Sequence, residues 1–272
     1  MHAHGGFFFS RPQTRFHSSS FTRPRRCGIG QAFAVPAAFS QRMPDMATLF
    51  NPLDLPVIAT DEHLPPIGAD RYHADAFRKR FVSPPVWAPE RVSERRMTDR
   101  TPAHASVLIP IVQRAEPTVL FTQRSDHLTN HPGQISFPGG RAESYDTSPI
   151  DTALREAEEE IGLGRDYVDV LGVLPVYTTV TAFIVTPVVA LVRPGFTIVA
   201  DPFEVAEVFE VPLSFLMSPA NHHHHQAEAG GITREFLSMP WQVTDAQGQE
   251  RRYFIWGATA AMLRNLYRFL AA

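Results

Sequence analysis

The segment Ser148–Gly162, SPIDTALREAEEEIG, constrains the fold more than any other part of the chain. Ser148 is a residue type that caps helix N-termini, Pro149 suits the first helical position, and Asp151 can close a capping box. Gly162 supplies the C-terminal stop. Between these signals Ile150, Ala153, Leu154, Ala157 and Ile161 make one apolar stripe at helical spacing, so this helix lies on a core. The same short helix carries Glu156, Glu158, Glu159 and Glu160. At about 100° per residue, Glu156 and Glu160 lie one turn apart beside the stripe, Glu159 sits next to them, and Glu158 falls on the other side. Like charges at that spacing repel. Arg155 is within i, i+4 reach of Glu159 and can neutralise one carboxylate rather than three. A hard divalent cation would neutralise the rest, and Mg²⁺ favours carboxylates combined with water and substrate phosphate. A solvated acidic helix face is the competing reading. The Gly139-Gly140 turn just before the helix favours the metal reading.

The remaining signals give strands at 106–113 and 118–124, joined by the turn Arg114-Ala115-Glu116-Pro117 and read as neighbours. A short strand follows at 134–140, with others near 168–175, 184–193, 205–211, 234–239 and 251–256. The chain closes with an amphipathic helix whose Ala260, Leu263, Leu266, Tyr267 and Leu270 can rest on a sheet. Strands, helix, strands, helix imply an α/β (α+β) fold, a mixed sheet between helices. The run 218–231, with its four consecutive histidines His222 to His225, reads as a loop. It lacks the spacing and supporting partners of a metal site. His127 and His131 sit on a loop-like segment containing Pro132.

Composition divides the chain. Six of its 25 Lys and Arg residues are arginines within residues 1–44, which hold no Asp or Glu. The rest therefore carries 19 basic against 28 acidic residues. That acidic body argues against docking on nucleic acid. No apolar run reaches the roughly 20 residues that span a membrane. A single cysteine, Cys27, rules out an internal disulfide framework and suits a reducing compartment. Residues 1–44 read as a disordered tail or a product of an upstream start, with Met43 or Met46 as the working one. That places the protein in the cytoplasm. The second reading, an Arg- and Ser-rich transit peptide, would make it organellar. Residues 45–104 read as an extended Pro-rich arm with one short helix near 74–81, and 105–272 as the functional domain.

Gly140, followed by Arg155-Glu156-Ala157-Glu158-Glu159-Glu160-Ile161-Gly162-Leu163, resembles the Nudix box, Gly-x5-Glu-x7-Arg-Glu-(apolar)-x-Glu-Glu-x-Gly-(apolar). The middle departs from it: Asp146 stands at the first acidic position, and eight residues rather than seven separate it from Arg155. The resemblance implies a Nudix fold and metal-dependent hydrolysis of a nucleoside diphosphate derivative, using Mg²⁺ or Mn²⁺. It implies Glu156 and Glu160 as metal ligands, Glu159 as a third ligand or a base, and Arg155 as the residue orienting the glutamates. Glu204 and Glu207, in a later segment, are further candidates for the base.

Upstream, Leu120–Gly140 is similar to a signature of the coenzyme A pyrophosphatase branch, with matches at Leu120, Thr122, Arg124, Ser125, Gly133 and Phe137–Gly140. Thr129 stands where that signature has a second arginine. The branch implies cleavage of coenzyme A to 4′-phosphopantetheine and adenosine 3′,5′-bisphosphate, with Arg124, Ser125, Gly139 and Gly140 at the substrate. A homodimer is an assembly open to such a chain. The alternatives are a Nudix hydrolase for another substrate, such as ADP-ribose, and a catalytically weak nucleotide-binding module.

Overall fold

The computed structural model describes residues 51–91, 93, 101–128, 132–229, 232–244 and 248–272. The chain divides into two units, Met1–Gln41 and Arg42–Ala272; the first lies outside the described residues. In chain order the second unit holds strand β1 (Ala59–Thr60), helix α1 (Ala74–Val82), β2 (Ala103–Val112), β3 (Thr118–Arg124), β4 (Ile135–Ser136), β5 (Gly139–Arg141) and helix α2 (Pro149–Ile161). There follow β6 (Val168–Val173), β7 (Tyr177–Thr178), β8 (Phe183–Val192), β9 (Val205–Pro212), the short helix α3 (Leu213–Leu216), β10 (His223–Ala229), β11 (Ile232–Thr244), β12 (Glu250–Trp256) and helix α4 (Gly257–Ala271).

A mixed sheet runs β4-β3-β2-β8-β6, with β5 added to β2, β7 to β8 and β9 to β3. A second, antiparallel sheet runs β1-β10-β11-β12. Strands β2 and β8 are parallel along their whole length, from Ala103↔Phe183 to Val112↔Val192. Both faces of this pair are covered, which explains their nearly continuous apolar sequence. Leu108 and Val112 of β2 face the cluster under α2, while Ile109 and Ile111 face the cluster under α4. This is the two-residue period of a strand buried on both sides.

The expected pairing of β2 with β3 holds only at the hairpin tip, Ile111↔Val119 and Val112↔Thr118. Beyond it the strands diverge. β3 runs along β9, and the gap admits β5 against Ala105–Val107 of β2. This split brings the Gly-Gly turn into the sheet, directly under α2.

Helix α2 starts and stops where its sequence predicts. Ser148 Oγ accepts from Asp151 N at 3.1 Å, a cap worth about 1 kcal/mol, and Gly162 closes the helix at φ 68°. The reciprocal arm of the capping box is shifted: Asp151 Oδ2 accepts from Thr147 N rather than from Ser148. Ala153, Ala157 and Ile161 are buried, with Ile150 and Leu154 packed beside them.

Two regions differ from their sequence reading. The histidine run is strand β10, paired with β11 from His223↔Ser238 onwards. His225 and Ala227 are buried and alternate with Gln226 and Glu228, a strand period hidden inside a low-complexity run. The Pro-rich arm, over its described part, belongs to the core: Ile67, Tyr72 and Phe77 join the main apolar cluster. Two arginines of this arm have a structural role. Arg80 donates to Phe269 O at 3.0 Å and to Leu270 O at 2.7 Å, and Arg71 donates to Leu270 O at 2.5 Å. These guanidinium groups satisfy the last carbonyls of α4 and oppose its negative dipole end.

Candidate active site

The split between β2 and β3 sets β5 beneath the polar edge of α2. Glu160 is 5% exposed, and its Oε2 accepts a hydrogen bond from Gly139 N at 3.0 Å. Burial pushes its carboxyl up to about 8; the Gly139 N–H counters this, the Glu156 charge adds to it, Arg124 opposes it and Glu204 adds again. Glu156 is also raised by burial, with Arg155 as the main opposing influence. A Cβ at position 140 would lie 2.5 Å from the Glu156 carboxylate, and one at 139 only 2.4 Å from Ser106 O. Two glycines are therefore needed for different reasons: Gly139 lets β5 lie against β2, and Gly140 leaves room for a carboxylate.

Arg155 holds more than the single carboxylate expected of it. Its Nε and one terminal nitrogen fork onto Asp146 at 2.8 and 2.9 Å. The other terminal nitrogen lies 2.9 Å from Glu156 Oε1 and 2.8 Å from Glu159 Oε2. Asp146 also accepts from Glu143 N and Thr152 Oγ1, both at 2.9 Å. Arg155 foremost, then the Glu143 N–H, holds its carboxyl well below the usual range. Asp146 is thus the residue that the sequence left unassigned. Its signal was present, six positions after Gly140.

Other sites separate from this cluster. Glu158 points away, 3.6 Å from Arg165 Nε. Glu159 is held by Arg155 but its side chain remains 59% exposed. The turn 201–204 comes close: Asp201 N donates to Glu160 O at 2.9 Å, and the charge of Glu204 reaches both Glu156 and Glu160.

The NUDIX domain sequence model matches residues 102–230. An uncharacterized Nudix hydrolase NudL from Yersinia enterocolitica is 45% identical over 164 residues, covering 60% of this chain and 79% of its own length. A protein of the same description from Salmonella paratyphi B is 39% identical over 198 residues, covering 72% and 94%. The chain belongs to the Nudix hydrolase family. A C. elegans Ap4A hydrolase crystal structure is similar at a TM-score of 0.36 and 16% identity, over 43% of this chain and 85% of that one.

Nudix enzymes generally use divalent metal ions, and the donor set here fits one. Glu156 and Glu160 are oxygen donors whose burial raises their proton affinity, an environment that a bound cation would relieve. Among the described residues no three His, Cys, Asp or Glu side chains gather as a ready metal cage. Two carboxylates leave most of an octahedral shell to water and substrate oxygens, the usual arrangement for Mg²⁺ at phosphates.

The structure does not bring two of the sequence candidates to this Nudix box. Glu207 lies on the face of β9 opposite α2, accepting from Tyr253 Oη at 2.9 Å and paired with Arg251 at 3.3 Å. Strand alternation with Phe209, which stacks on Tyr253, puts it there. Ser125 is 4% exposed and spends its hydroxyl on Pro202 O at 3.3 Å, while its N–H donates to Glu204 O at 2.9 Å. It anchors the turn carrying Glu204 instead of facing a ligand. The charge of Arg124 reaches Glu160 and opposes the rise of its carboxyl, and the buried Nε of Arg124 has no hydrogen-bond partner. Thr129 and His131 lie outside the described residues.

Asp146→Asn removes the charge but keeps the shape. Activity is expected to fall by roughly 10- to 100-fold, mostly in kcat, because Arg155 is then free to swing and release Glu156 and Glu159. The melting temperature should also fall at neutral pH. The depressed carboxyl stabilises the fold above its ordinary range and loses that contribution only as pH drops below it, so the difference should close only in strong acid. Steady-state kinetics with thermal unfolding from pH 7 downwards checks both effects.

Proposed function

We propose that this protein hydrolyses the pyrophosphate bond of coenzyme A or its derivatives, releasing 4′-phosphopantetheine and adenosine 3′,5′-bisphosphate. The observation that carries the reading is the Leu120–Gly140 run. Its signature residues fall on β3, on the segments flanking β4 and on β5, and end at the glycines against Glu156 and Glu160. Arg124, with a buried and unpartnered Nε, supports an anionic substrate oxygen as its partner.

In this reading Glu156 and Glu160 hold Mg²⁺ or Mn²⁺, with Glu159 as a further ligand. Such an ion supplies charge neutralisation of the pyrophosphate and acidifies a water molecule. Arg155 keeps Glu156 and Glu159 oriented, and Arg124 binds a phosphate oxygen. The backbone of Gly139 and Gly140 allows close approach of the substrate. Glu204 is the carboxylate assigned to take the proton from the attacking water, since it lies in the same field as the metal-binding pair. The cytoplasm is the compartment proposed with this reading; its reducing environment suits a chain with one cysteine.

The test is a substrate panel with Mg²⁺, comparing coenzyme A with ADP-ribose and identifying products by mass. Release of adenosine 3′,5′-bisphosphate at the higher kcat/KM is expected. Faster release of AMP from ADP-ribose would replace coenzyme A with that substrate.

A further inference from the structure

We propose that Arg141 and Tyr145 read the 3′-phosphorylated adenosine end of the substrate, Arg141 binding the 3′-phosphomonoester and Tyr145 stacking on the purine. This inference rests on the coenzyme A reading above. Both residues are tied to one guanidinium. Arg155 donates to Arg141 O at 3.1 Å, and its Cζ lies 5.6 Å from the centre of the Tyr145 ring. Since Arg155 also touches Glu156 and Glu159, the segment 141–145 forms a rim beside the carboxylates.

The side chain of Arg141 is exposed, and among the described residues it has no carboxylate partner, although Glu143 lies two positions on. Nearby arginines differ: Arg155 and Arg165 are both engaged by carboxylates of the same helix region. An unpaired guanidinium at the edge of an acidic site can take a dianionic phosphomonoester in a two-pronged contact without first breaking an ion pair. Tyr145 is 66% exposed. One face of its ring meets Arg155, which leaves the other open to a nucleobase. Asp146, immediately after Tyr145, is locked to Arg155, so the rim is held in place at its far end. Thr129, at the position where the branch signature has an arginine, offers no guanidinium; Arg141 supplies one from the other side of the motif.

Coenzyme A and 3′-dephospho-coenzyme A differ only in the phosphate that Arg141 is assigned to bind. Steady-state kinetics on both substrates, for the wild type and for Arg141→Ala, Arg141→Lys, Tyr145→Ala and Tyr145→Phe, therefore isolates the contact. Arg141→Ala should raise the ratio of KM for coenzyme A to KM for the dephospho form by roughly ten-fold, and Arg141→Lys should recover part of it. Tyr145→Ala should raise both KM values together and leave their ratio unchanged, while Tyr145→Phe should behave as wild type. An unchanged ratio in Arg141→Ala, with a wild type that cleaves coenzyme A, overturns the 3′-phosphate assignment and leaves the proposed activity standing. Unchanged KM values in Tyr145→Ala overturn the stacking. A wild type that cleaves neither substrate overturns the inference and the reading beneath it together.

Discussion

Glu160→Gln is expected to lower kcat by at least about a thousand-fold while making the metal-free protein more stable. The two effects have one cause. The folded chain buries this carboxylate, and its carboxyl is pushed from 4.5 up to about 8. Below the ordinary value it is protonated in both folded and unfolded states, so the substitution changes little. As pH rises from there, the unfolded chain releases the proton and the folded chain keeps it, so the stability of the wild type falls. Above about 8 the full cost of a buried charge is present. That cost is on the order of a few kcal/mol. Glutamine has no such cost and can still accept from Gly139 N. The stability difference between variant and wild type should therefore grow from pH 4.5 to 8. Mg²⁺ should stabilise the wild type and leave the variant nearly unaffected, because a ligand stabilises only the state that binds it. Thermal unfolding across pH, with and without Mg²⁺, read beside turnover, is the measurement. Wild-type turnover in the variant would remove Glu160 from the metal site.

The second large effect lies in the arm. Arg264 of α4 is 3% exposed and stands 3.1 Å from Asp61 Oδ2 and 2.8 Å from Glu90 Oε2. It also donates to His222 Nδ1 at 3.0 Å. Burial pushes His222 down to about 4, so the ring is neutral, and its Nε2 donates to Leu216 O at 2.8 Å. His224 shares Asp61 at 2.8 Å, and Asn265 Oδ1 accepts from the N–H groups of Glu90 and Arg91. Arg264→Ala takes the nearest guanidinium from two carboxylates at once, leaving Asp61 to His224 and Glu90 to Arg268 and Arg91 at 3.9 and 4.0 Å. Removing one partner of a buried ion pair costs about 3–5 kcal/mol, which for a domain of this size lowers the melting temperature by roughly 6–20 °C. Adding Asp61→Asn and Glu90→Gln to that variant should cost less than the sum of the separate changes, because they share one network. No contact of this network involves Glu156, Glu160 or Arg155, so turnover at low temperature should change little. A loss below about 1 kcal/mol would mean that the Arg264 network contributes little to holding the arm.

The helix bearing the glutamates was legible because its information is local. Cap, stop and apolar stripe all lie within fifteen residues, and the wheel that grouped Glu156 with Glu160 needs only the helical period. The histidine run was misread because four identical residues hide a two-residue alternation. What makes them fit a strand is distant: Asp61, Pro56 O and Ser238 supply partners to imidazoles that a loop would leave in water. Glu207 could not be placed from sequence for a similar reason. Its alternation with Val205 and Val208 reads equally well on either face, and the irregular register between Gln123 and Arg124 decides which.

By itself the sequence determined the Nudix box, the strands at 106–113 and 184–193, and the identity of the carboxylates. These follow from short-range periodicity and residue chemistry. The tertiary structure alone decided that β2 and β3 separate, that Gly139 meets Glu160, and that Asp146 shares Arg155 with two glutamates. It also decided that residues 51–91 complete the core. Each of those is a contact between segments far apart in the chain or around a turn of unpredicted length. Burial, not residue type, then turns ordinary glutamates into groups with raised proton affinity.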